Sequence, residues 1–146
     1  NAMQHITAPE LAAWLNDSAK AQPFLLDVRE DWEYETCHIA GSTLMPMQTI
    51  PGRIDDLDED AQIVCICHHG ARSLNVAAFL EHHGFSKVSN LTGGIHAWAV
   101  QVDSSMPKYY ARKLNLFDDS NGDANAETPS RRAGCQRTVF AEYTGG

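Results

Sequence analysis

The run "AQIVCIC", residues 61–67, constrains the fold more than any other stretch of the chain. It is continuously apolar and carries β-branched residues, the signature of a strand buried on both faces. Such a strand needs a helical layer on each side. The flanking sequence supplies the material. "RSLNVAAFLEHHG" follows as a helix with its stop at Gly84. Earlier, "PFLLDVRE" reads as a short buried strand, "DWEYE" as a helical turn, "STLMPM" as a second short strand, and "IPGRIDDL" as a loop leading into a short helix. Later, "KVSNL" is another strand, "TGG" a tight turn and "IHAWAVQV" a final helix. At the front, Thr7-Ala8-Pro9-Glu10 has capping-box spacing with proline in the first turn, and Leu11, Trp14 and Leu15 share one helical face. Strands alternate with helices throughout. The expected class is therefore α/β, a central parallel sheet of about five strands with helices on both faces.

The length of 146 residues suits one domain with an appendage. No apolar run is long enough to span a membrane, and the first residues lack the pattern of a secretory signal. Four cysteines without a CxxC pair do not make a disulfide framework. A reducing, cytoplasmic location is expected on those grounds. The net charge of −8 is uneven: residues 1–107 carry 5 basic against 14 acidic side chains, and residues 108–146 carry 6 against 5. So acidic a body argues against nucleic acid and anionic membranes as partners. Asn1-Ala2 ahead of Met3 reads as a remnant of tag removal, residues 3–107 as the folded domain, and 108–146 as an extension. Within that extension "DDSNGDANAETPSRRAG" has linker composition. Residues 135–143, "CQRTVFAEY", form a candidate docking strand that could pair two copies at a sheet edge, with Cys135 as a further thiol.

The chemistry concentrates in "CHHGARS", residues 67–73. In open α/β sheets ligands sit beyond the carboxyl ends of the strands, and Cys67 lies at such an end. A strand ending at Cys67 and a helix beginning near Arg72 leave a short loop curled around the thiol. Its backbone N–H groups, with those of the helix N-terminus, converge on one spot and favour the thiolate. Gly70 supplies the freedom such a curl needs. Arg72, His68 and His69 add donors and positive charge at the rim. The product is a nucleophilic cysteine in an anion-binding cradle. The bland alternative, an inert core thiol, suits Cys65 within the strand better than Cys67 at its end. "CICHH" also has the composition of a soft-metal cluster, but its spacing is not that of a closed zinc site, and no metal is expected there.

With "LLDVRE", "HIAGS", "VCICHHGARS" and "GFSKVSNLTGGIHAW" in this order, the chain resembles the single-domain rhodaneses, sulfurtransferases of the rhodanese-like superfamily, over Ile6 to Val102. The resemblance implies a rhodanese-like fold and a persulfide cycle. Cys67 would take the outer sulfur of thiosulfate or a similar anionic donor, then pass it to cyanide, a thiol or a protein acceptor. It implies that His68, His69, Gly70, Ala71, Arg72 and Ser73 hold the donor and persulfide, and that no cofactor is needed. Asp27 and Arg29, at the end of the first apolar strand, could bind substrate, but a supporting role through a structural ion pair or loop-fixing hydrogen bonds is the favoured reading. Two positions depart from the family pattern. His68 stands where a basic residue often follows the nucleophile, so charge there would vary near neutral pH. Cys37 replaces a frequent glycine, which leaves open whether it is packing or a second thiol of the relay.

Two rivals share these features. Cysteine phosphatases and arsenate reductases also attack an oxyanion from a thiolate in an amide cradle, with five residues between cysteine and arginine. Here four intervene, His68 to Ala71. The tighter loop suits one sulfur atom better than a phosphate. A regulatory or partner-binding module is the other rival, and the presence of Cys67 argues against an inactive version.

Overall fold

Ile63–Ile66 is buried at every position and takes the centre of the sheet. The computed structural model describes residues 3–110. In chain order its elements are β1 (Gln4–Ile6), α1 (Ala8–Leu15), β2 (Phe24–Asp27), α2 (Asp31–Thr36), β3 (Thr43–Leu44), α3 (Ile50–Arg53), β4 (Ile63–Ile66), α4 (Ala71–His82), β5 (Val88–Leu91) and α5 (Gly94–Gln101). Five strands lie in the order β1-β5-β4-β2-β3. Every pairing is parallel. The α/β class, the parallel sheet and its helical layers are as the sequence implies.

Side-chain alternation along β4 explains why it needs cover on both sides. Val64 and Ile66 join the core under α1 and α5, with Leu11, Ile95 and Trp98. Ile63 and Cys65 face the other way, into the core under α4, with Val76, Ala77 and Leu80. Each fully buried Ile or Val contributes about 1.5–3 kcal/mol relative to exposure, so a charge at either face would break the sheet's centre. The start of α1 is fixed as expected: Thr7 Oγ1 accepts the Glu10 N–H at 3.2 Å and Glu10 Oε1 accepts the Thr7 N–H at 2.9 Å. Such a cap is worth about 1 kcal/mol. Trp98 is fully buried as a core residue.

Local boundaries differ in informative ways. "STLMPM" yields only the two-residue strand Thr43–Leu44. "IPGRIDDL" begins directly as the short helix α3 and tightens into a 3-10 turn over Ile54–Asp56. The edge strand β1 pairs Gln4, His5 and Ile6 with Ser89, Asn90 and Leu91. Packing also continues past residue 107, because Tyr109 contacts the site described next. The linker, the candidate docking strand 135–143 and Cys135 lie outside the described residues, as do Asn1 and Ala2. Among the described residues no helix is long and apolar enough to cross a membrane.

The topology determines where chemistry can occur. From β2 the chain goes outward to β3, whereas from β4 it goes to β5 on the opposite side. A crevice opens at such a reversal, beyond the carboxyl ends of β2 and β4. Asp27 pairs with Ile66 across these strands, so Arg29 and Cys67 emerge at the same end of the sheet.

Candidate active site

Cys67 follows β4 and is 1% exposed, at the floor of the loop. Its Sγ accepts the Gly70 N–H at 3.1 Å and lies 3.2 Å from Ser73 Oγ. Gly70 caps α4 with φ +110°, a left-handed conformation that glycine adopts without penalty. That turn directs its N–H back onto the sulfur. Ser73 is buried in the first turn of α4, and its hydroxyl also lies 2.5 Å from Asn90 Oδ1. Asn90 Nδ2 in turn donates to the Gly70 carbonyl at 3.2 Å. The four residues close a ring. Ser73 has one hydroxyl proton, so it donates either to Asn90 or to sulfur. A neutral thiol can donate to Ser73 and leave that proton on Asn90. An anionic sulfur calls it back.

The loop carbonyls are taken by α5. Ile95 N–H donates to the Cys67 carbonyl at 2.8 Å and His96 N–H to the His68 carbonyl at 3.0 Å. This contact requires Gly94: at φ +61°, a Cβ there would fall on the Cys67 and His68 carbonyls. The "TGG" turn thus seats a helix N-terminus against the Cys67 loop.

Arg72 is placed differently from a free anion ligand. Its guanidinium makes a two-point pair with the buried Glu33 carboxylate, at 2.7 and 2.8 Å. Burial alone would push Glu33 up, but the hydrogen bonds from Arg72, the Glu30 N–H and Tyr109 hold it at about 2. Those same Glu33 hydrogen bonds push Arg72 above its ordinary value. Asp27 and Arg29 form a fully buried ion pair, Nη2 to Oδ2 at 2.7 Å. Arg29 also reaches the Glu33 and Cys37 carbonyls and the Tyr109 hydroxyl, so all its N–H donors are engaged. The pair braces the loop after β2.

His68 is buried, and its ring stacks on Tyr109 at 3.9 Å. Burial, with neighbouring His69, lowers its pKa to about 4. It is therefore neutral at physiological pH, and the variable charge expected of it near neutrality is absent. His69 is exposed, and Ala71 opens α4 at the surface. Burial pushes the Cys65 thiol up to about 12, consistent with an inert core residue. Cys37 is buried in the α1/α5 core, where its Sγ donates to the Pro107 carbonyl at 3.4 Å.

The structure brings together Cys67, Gly70 and Ser73, with His68 and His69 beside them and Arg72 tied to Glu33. Sequence reasoning missed Asn90, Glu33, His96 and Tyr109. Asn90 had left a signal: an amide inside a buried strand must find polar partners.

A buried thiol just past the carboxyl end of β4, in the short loop 67–70 that opens α4 of a five-stranded parallel sheet, places the chain in a class of α/β domains. The chain belongs to the rhodanese-like domain family, whose model matches residues 7–101. It is 40% identical over 80 residues to the putative sulfurtransferase YtwF of Bacillus subtilis, covering 55% of this chain and 77% of that protein. It is also 40% identical over 79 residues to the putative sulfur carrier protein YrkF of the same organism, covering 54% of this chain but only 43% of that relative. Among solved structures it is similar to a rhodanese-like domain protein from Staphylococcus aureus, with TM-score 0.61 and 33% identity over 66% of this chain and 91% of that one.

Proposed function

We propose that the protein is a sulfurtransferase that carries sulfane sulfur as a persulfide on Cys67. The observation that carries this reading is the sulfur cradle itself: Cys67 Sγ within 3.1 Å of the Gly70 N–H and 3.2 Å of the Ser73 hydroxyl, at the mouth of α4. In the first half-reaction the thiolate attacks the outer sulfur of thiosulfate or a related donor. The donor's S–S bond breaks, and sulfite leaves with the electron pair. In the second, cyanide or an acceptor thiolate attacks the terminal sulfur, and Cys67 leaves as thiolate. The Gly70 N–H and the Ser73 hydroxyl are placed to follow negative charge as it passes between the two sulfurs. With Arg72 held by Glu33 and His68 neutral, the donor's charge is met mainly by the amide dipoles at the α4 N-terminus.

A cysteine phosphatase fits less well. The loop is one residue short, and the Arg72 guanidinium that would hold a phosphate is already bound to Glu33. The name of the sulfur-carrier relative favours a second form of the same chemistry, in which the acceptor is a protein thiol.

Intact mass of the purified chain decides the matter. After thiosulfate the protein should gain one sulfur atom. Cyanide should release it as thiocyanate, and Cys67→Ser should gain none. Hydrolysis of a phosphate ester without sulfur uptake would overturn the proposal.

A further inference from the structure

Three imidazoles meet at the rim of the loop. His68 and His69 come from the loop itself, and His96 from the first turn of α5. One potential ligand atom from each lies within 4.8 Å of the others. The ring centroids stand 4.0 Å apart for His68 and His69, and 5.0 Å for His69 and His96. Among the described residues, two of the ring nitrogens, His68 Nε2 and His96 Nδ1, are buried without a hydrogen-bond partner. His68 is itself only 4% exposed. A buried polar nitrogen left unmet is costly, so an orphaned nitrogen on each of two of the three rings calls for an occupant that takes lone pairs.

We propose that His68, His69 and His96 form a binding site for a borderline transition-metal cation such as zinc. Three imidazole nitrogens suit Zn2+, Ni2+ or copper, whereas Mg2+ and Ca2+ prefer oxygen. The supporting structure is already in place. The His96 N–H bonds the His68 carbonyl at 3.0 Å, which ties the two ligand-bearing segments together, and Tyr109 stacks on the His68 ring and orients it. Nitrogens sharing one tetrahedral ion at ~2.05 Å stand ~3.3 Å apart, so the rings must draw inward. His69 is exposed and can make that movement. Its side also leaves an open coordination position for water or an incoming ligand. This site differs from the "CICHH" cluster, because Cys65 points into the core under α4 and the third ligand comes from α5.

The test is titration of the full chain, freed of metal by chelation, with Co2+ as a spectroscopic probe and Zn2+ by calorimetry. One Co2+ per chain with the visible bands of a tetrahedral nitrogen site is expected, displaced by Zn2+. His96→Ala and His69→Ala should each weaken binding by at least about tenfold. His69 is exposed, so its variant keeps the fold even if His96→Ala does not. Cys67→Ser and the double variant His82→Ala/His83→Ala should bind as the parent does. Absence of stoichiometric binding, undiminished binding in His69→Ala, loss of binding in Cys67→Ser with a thiolate charge-transfer band in the parent, or loss in the α4 double variant would each overturn the proposal.

Discussion

Ser73 shows how one hydroxyl can serve two charge states of a neighbour. Its oxygen stands between Cys67 Sγ and Asn90 Oδ1, at 3.2 and 2.5 Å, and Asn90 is tied through its own amide to Gly70. When the sulfur is neutral the proton rests on Asn90. When the sulfur becomes anionic, turning the proton toward it adds a charge-assisted hydrogen bond worth about 1.5–3 kcal/mol. Ser73→Ala removes that bond and leaves Asn90 Oδ1 unmet. Expected are a fall of about 1–2 kcal/mol in stability and a ~10- to ~100-fold slower loading of sulfur from thiosulfate. Urea unfolding reads the first, and quenched-flow intact mass the second. A variant that loads at the parent rate would show that Gly70 alone stabilises the sulfur.

The loop and the first turn of α5 act as one unit, and Gly94 is the contact between them. Alanine there meets two costs: a left-handed φ of +61°, and a Cβ placed on the Cys67 and His68 carbonyls. Gly41 provides a control, since it has φ +90° with open space around its would-be Cβ. Gly41→Ala should cost only the backbone strain, about 1–2 kcal/mol. Gly94→Ala should add about 1–3 kcal/mol of overpacking and slow sulfur loading, because the loop must shift to admit the methyl group. Equal denaturation midpoints for the two variants would mean that the α5 contact is soft. This element also separates what the sequence could reveal from what it could not. Cys67, Gly70 and Ser73 were legible because they are contiguous and their geometry is local. "TGG" was legible as a turn, but its role against the loop depends on a tertiary contact. The edge strand β1 left no pattern, since Gln4 and His5 are exposed and only pairing with β5 makes them a strand. Glu33 and Arg72 are 39 positions apart, and nothing in either segment announces the pair.

At the scale of the molecule, the Glu33 pair links the site to acid stability. Glu33 is almost fully buried, with its carboxylate held at about 2 against an ordinary 4.5 by Arg72, Glu30 N–H and Tyr109. A depressed carboxylate stabilises the fold above its unfolded pKa, and that contribution is lost as pH falls through the folded value. The difference corresponds to about 3 kcal/mol, present at pH 7 and more than half gone by pH ~3. The chain also crosses its pI of about 5.2 on the way down, so its overall charge reverses. A single acid-unfolding curve therefore mixes the local pair with the global charge. Comparison with Glu33→Gln isolates the pair, because both proteins share the remaining charges. The variant keeps the shape of the side chain but gives Arg72 a neutral partner. It should be less stable than the parent by about 3 kcal/mol at pH 7, with the gap closing between pH ~4.5 and ~2. Urea unfolding of both chains from pH 7 to pH 3, at fixed salt and without metal, measures that gap. A gap that stays constant across the range would mean that Glu33 braces the site by shape and packing, and that its charge contributes nothing to holding Arg72.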